Sequence, residues 1–187
     1  MRWDGLFDDL EAQWADLDRR ALVAEAAELT RGEWARLGTA ERLRGGIGRT
    51  VRLHLLWGEH RDVRLDTVGE GWVGGVGGAG GGLLVPLASL AAVEGDLGSA
   101  AEASERPSAR APLSAALRRL ARARAAVRLT SVAGAALAEG TLDRVGADHV
   151  DIARHARDEA RRREAVRGRL TVPFSALGLV ADAGGGG

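Results

Sequence analysis

The chain has no cysteine, lysine, asparagine or tyrosine among its 187 residues. Without cysteine there is no disulfide, no thiolate metal site and no cysteine nucleophile. Aromatics are scarce, five tryptophans and two phenylalanines, so a hydrophobic fraction of 45% rests on Ala, Leu and Val. No apolar run approaches the roughly 18 residues that a spanning helix needs. Residues 1–10 are acidic and lack an apolar core, unlike a secretory signal, so a cytoplasmic protein is expected. All 26 basic residues are arginine, a pattern that fits a GC-rich coding bias and lowers the weight of any glycine or arginine motif.

The most informative feature is a repetition. Residues 65–73 (Leu-Asp-Thr-Val-Gly-Glu-Gly-Trp-Val) return at 142–150 as Leu-Asp-Arg-Val-Gly-Ala-Asp-His-Val. Residues 85–93 return at 172–180, each opening Val-Pro, and residues 51–56 return at 127–132. Over these blocks 12 of 24 positions are identical, which predicts two units of related structure. Units of this size are near the lower limit for independent folding, so they are expected to share buried surface with each other or with a partner chain.

Five short strands are expected in each unit, from alternation, turn residues and the strand-closing Val-Pro. They fall at 51–56, 62–68, 71–76, 83–85 and 91–93, and again at 127–132, 136–145, 149–153, 170–172 and 178–180. Four residues after each Val-Pro are expected to make a single helical turn. The Val-Gly turns at Gly69 and Gly146 are expected to use glycine for a positive φ. A short helix from Thr39 should lead into the first unit, and one from Pro112 to near Arg124 into the second. Ahead of both, Trp3, Phe7, Leu10, Trp14 and Leu17 step by four and three, the stripe of an amphipathic helix. That stripe suits packing on the chain's own strands or a two-chain coiled coil.

The resulting division is an N-terminal helix at 1–37, a first unit at 38–96, a linker at 97–111, a second unit at 112–182 and a disordered tail at 183–187. A helix followed by five short bent strands, with the Val-Gly hairpin and a terminal apolar strand, resembles the Sm-like small barrel. Asp148-His149-Val150-Asp151 and Arg167-Gly168 are partial counterparts of that family's acid and Arg-Gly elements. Asp151 stands where a base-reading asparagine would be, and the Val-Pro block is closer to PRC-type and other SH3-like barrels. The layout is also similar to uncharacterised actinobacterial proteins, some automatically labelled Fis-family regulators, although no Fis-type helix-turn-helix is present. The fold class these resemblances imply is α+β: an N-terminal helix followed by two tandem five-stranded Sm/SH3-like barrels, each with a preceding helix.

Motifs for catalysis are weak. Gly75-Val-Gly-Gly-Ala-Gly80 matches a dinucleotide fingerprint by letter, but no helix follows to receive a pyrophosphate. His54, His60, His149 and His155 have no metal-ligand spacing. Asp66 and Asp143 are equivalent positions of the two repeats and read as hairpin hydrogen-bonders. No enzyme activity, cofactor, metal or small-molecule substrate is expected.

Charge is uneven although the net charge is zero. Residues 1–37 carry nine acids against five arginines, and residues 106–170 carry fifteen arginines against seven acids. The insert at 153–169 holds Arg154, Arg157, Arg161, Arg162, Arg163, Arg167 and Arg169. Guanidinium clusters bind phosphate, but no aromatic interleaves here for base stacking. The expectation is an interaction or assembly module that docks through Trp3, Phe7, Leu10, Trp14 and Trp57. Its arginine insert would meet an anionic partner or the acidic N-terminal segment. The alternative is a regulator that binds nucleic acid through the insert. Function is expected where the repeats differ, at Trp57, Trp72, Asp151 and the insert.

Overall fold

A computed structural model describes residues 35–78, 80–98, 107–154 and 168–184. The chain divides into two compact units, Met1–Gly38 and Thr39–Gly187. The expected N-terminal helix with Trp3, Phe7, Leu10 and Trp14, most of the linker and the centre of the arginine insert lie outside the described residues.

Ten strands form in the second unit: β1 (Thr50–Leu55), β2 (His60–Val68), β3 (Trp72–Gly77), β4 (Gly82–Pro86), β5 (Leu90–Glu94), β6 (Ala126–Ser131), β7 (Ala136–Val145), β8 (His149–Arg154), β9 (Arg169–Pro173) and β10 (Leu177–Asp182). Each lies within two residues of an expected strand. Helix α1 (Thr39–Gly45) precedes the first five strands and α2 (Leu113–Ala123) the second five. Single 3-10 turns, Leu87–Ser89 and Phe174–Ala176, follow the two Val-Pro pairs. Helix α2 stops because Arg124 takes the left-handed conformation at φ 50°, which frees the chain to enter β6.

The architecture departs from two tandem barrels. All ten strands belong to one antiparallel sheet in the order β5-β1-β2-β3-β4-β10-β6-β7-β8-β9. The expected fold class is therefore corrected: neither five-stranded set is a separate barrel, because β4 pairs with β10 across the boundary. The reason is local. An edge strand carries a row of unpaired N–H and C=O groups, and the last strand of the second set satisfies those of β4.

The repeated Leu-Asp has a definite place in this sheet. Leu65 faces Gly75 and Thr67 faces Gly74, so Asp66 is an extra residue in β2. Asp143 is extra in β7 in the same way, between Leu142 and Arg144. Both are β-bulges, which bend a strand and sharpen its twist. Asp66 takes an ion pair from Arg64 at 2.8 Å, and Asp143 one from Arg169 at 3.3 Å. Ala91 in β5 and Gly178 in β10 make a second matched pair of bulges.

Two hydrophobic clusters lie along the sheet. The first is built on Leu43 of α1 with Val51, Leu53, Val63, Leu65 and Val73. The second is built on Leu117 of α2 with Val127, Leu129, Leu142, Val150 and Ile152. Each helix contributes one fully buried leucine to the set that follows it.

Candidate functional site

The boundary between the two sets is held by both backbone and side-chain contacts. Its backbone contact is short, with Val180 opposite Leu84 and Ala181 opposite Leu83. Side chains make up the rest by crossing over. Leu179 of β10 is buried in the first cluster, while Trp72 and Leu84 of the first set are buried in the second. Ser89, fully buried, donates its hydroxyl to the Leu177 carbonyl at 3.2 Å. A buried hydroxyl needs such a partner, so this bond fixes the seam's alignment as well as adding to it.

Both seam tryptophans rely on glycine. Trp72 lies over Gly69, where a Cβ would overlap the indole, and its Nε1 donates to the Ala111 carbonyl at 2.8 Å. The same carbonyl accepts the Glu70 N–H at 2.8 Å, so the start of the second set's lead-in is held twice. Gly69 and its counterpart Gly146 are not at positive φ, contrary to the expectation for these turns; Gly71 is, at 75°. The glycines are needed because a ring rests on each, the indole of Trp72 in one and the imidazole of His149 in the other. Trp57, half-buried, packs its ring on Gly134 and Gly178 of the second set. Its Nε1 is buried without a hydrogen-bond partner.

Alongside the seam runs an open groove of about 660 Å³. Trp72, Leu83 and Leu84 form one wall, Ala116 and Leu120 of α2 the other, with Asp66, Arg119, Arg122 and Asp182 around it.

Among the sequence-predicted residues, Trp57 and Trp72 both sit in the seam. Arg154 ends β8, exposed, and its N–H bonds Gly168. Arg169 opens β9 and pairs with Asp143. Asp151 accepts the Thr171 hydroxyl at 2.6 Å. Arg157, Arg161, Arg162, Arg163 and Arg167 lie outside the described residues. Sequence reasoning missed Leu84, Leu179, Gly134, Gly178 and Ser89. A position-by-position comparison of the repeats would have found four of them, since Leu84 aligns with Thr171, Leu179 with Ala92, Gly178 with Ala91 and Ser89 with Ala176.

Several titratable groups on the described surface are in ion pairs. Arg52 chelates Asp62 at 2.8 and 3.1 Å. That hydrogen bonding holds the Asp62 carboxyl below its ordinary range. A hydrogen bond from His149 does the same for Asp148. Among the described residues no three His, Asp or Glu side chains are grouped to hold a metal ion. Nor is any described helix long and apolar enough to cross a membrane.

No protein-family model matches the chain, and comparison with curated proteins and with solved structures found no match either.

Proposed function

We propose that the chain is a non-catalytic interaction or assembly module that works through the open ends of its sheet. The observation that carries this reading is the strand order. Strands β5 and β9 stand at the two ends, each paired on one side only among the described residues. An edge of this kind binds an extended segment by main-chain hydrogen bonds, and alternate side chains then set the preference. At β9 those side chains are polar: Thr171, bonded to Asp151, with exposed Arg169 next to it. At β5 they are small or acidic, Ala91, Ala92 and Glu94, all exposed. The partner in this reading is an extended strand of another protein, with polar side chains on the face that meets β9.

The test is a pull-down from the native host with wild-type protein and edge-blocked variants. Thr171→Pro and Val93→Pro remove an edge N–H, while Thr171→Lys and Ala92→Lys keep it and add an edge charge. A strand-adding partner is lost from one edge only, in variants whose thermal melts match wild type. A ligand kept by every edge variant, but lost when 155–167 is deleted and released steeply by salt, rejects this reading. It would support nucleic-acid binding through the arginine insert instead.

A further inference from the structure

The seam and the two open edges use equivalent positions of a repeated sequence, so they can be compared residue by residue. On the seam, the first set contributes Trp57, Trp72 and Leu84, and β10 contributes Gly178 and Leu179. The same positions facing outward are Ala133, His149 and Thr171 beside β9, and Ala91 and Ala92 on β5. Each of these large apolar groups has become small or polar and Gly178 has become alanine, while Leu83 and Val180 keep apolar counterparts in Leu170 and Val93. Trp72, Leu84 and Leu179 are at most 7% exposed, whereas Thr171, Ala91 and Ala92 are exposed.

General divergence does not account for this. The buried pairs Val51/Val127, Leu53/Leu129, Leu65/Leu142, Val73/Val150 and Val85/Val172 are identical between the sets. The backbone features that would permit the same contact are also kept. His149 rests on Gly146 as Trp72 rests on Gly69, and the turn after each Val-Pro bonds back in the same way, Leu87 to Gly71 and Phe174 to Asp148. Core positions change too, Leu55 to Ser131 and Val63 to Gly140, but at the adhesive positions the changes all run from large and apolar to small or polar.

We infer that the outward edges are disarmed versions of the seam, so that pairing of five-stranded sets stops at the two within one chain. A contact between unlike edges is heterologous: repeated between chains it makes a ring if the rotation closes and a filament if it does not. Polar groups and loss of apolar bulk at an edge are the usual means of preventing such growth. The inference concerns self-pairing only and holds whether or not the edges take a strand from another protein.

The test restores the seam residues at the edges. One variant carries Ala133→Trp, His149→Trp and Thr171→Leu; the other carries Ala91→Gly and Ala92→Leu. In sedimentation velocity at rising concentration each variant alone behaves as the wild type does. Mixed, they form a 1:1 complex of twice the wild-type mass, and a chain with all five changes grows into larger species. The inference is overturned if wild-type protein already forms chains that Val93→Pro dissolves. It is equally overturned if the mixed variants, with wild-type melts, stay at the wild-type mass. Should a grafted variant fail to fold, the reverse exchange decides. Trp57→Ala, Leu84→Thr and Leu179→Ala, combined, are expected to lose amide protection in β4 and β10 while β1–β2 and β7–β8 keep theirs. Unchanged protection in β4 and β10 would overturn the inference.

Discussion

Trp72 illustrates how much one residue type decides here. Its ring needs a glycine beneath it, the apolar cluster of the second set beside it and a carbonyl at the right distance, and Gly69, the cluster around Leu117 and Ala111 supply these. Trp72→Phe keeps most of the packing and loses the indole donor. Because Ala111 still accepts from Glu70, the expected cost is about 1 kcal/mol in a denaturant titration. Gly69→Ala forces the indole off its seat and is expected to cost about 1–3 kcal/mol, the range for overpacking. A stability equal to wild type in Gly69→Ala would mean the ring has another place to go.

Asp148 and Asp62 set the expected response to acid at the same scale. Both carboxyls are held low in the folded chain, by hydrogen bonds from His149 and Arg52 respectively. A depressed folded-state pKa contributes stability that is present above the unfolded carboxylate pKa and is lost as pH falls through the folded value. Both groups are solvent-exposed, so the contribution is small and screened by salt. Carboxyl titration by NMR should find both midpoints below the ordinary aspartate range. Asp62→Asn and Asp148→Asn should flatten the acid limb of the stability profile slightly.

At the scale of elements, the ten strands were legible in the sequence because each signal is local. Alternation marks the half-buried face, Val-Pro ends the fourth strand of each set, and glycine marks the turns. The extra residue at Asp66 and Asp143 was not legible as a bulge. A repeated Leu-Asp says only that the position recurs, and the bulge appears when Leu65 and Thr67 are seen facing consecutive residues of β3. Helix ends were readable for a comparable reason, since Arg124 falls on the apolar side where α2 can no longer continue. The seam gives this scale its prediction. Leu179→Ala should cost about 2–5 kcal/mol, as for a buried leucine. Ala92→Leu, the reciprocal change at the equivalent exposed position, should stay within about 0.5 kcal/mol. Equal costs in the two denaturant titrations would contradict the assignment of Leu179 to the seam.

For the whole molecule, the crossing of Trp72, Leu84 and Leu179 makes each set's core depend on the other. Leu43→Ala and Leu117→Ala, one in each cluster, should therefore both lower a single shared transition of Thr39–Gly187 by about 2–5 kcal/mol. Two separated transitions in calorimetry, each sensitive to only one variant, would show that the sets fold independently. The sequence by itself determined where the strands lie and that the pattern occurs twice, because these depend on neighbours a few residues apart. Only the tertiary structure decided that the two sets share one sheet and that Trp57 looks inward across the seam. A strand's free N–H and C=O groups are the same on any edge. Which edge they meet is chosen by side chains nearly a hundred residues apart, such as Leu84 and Val180, and no local pattern records that choice.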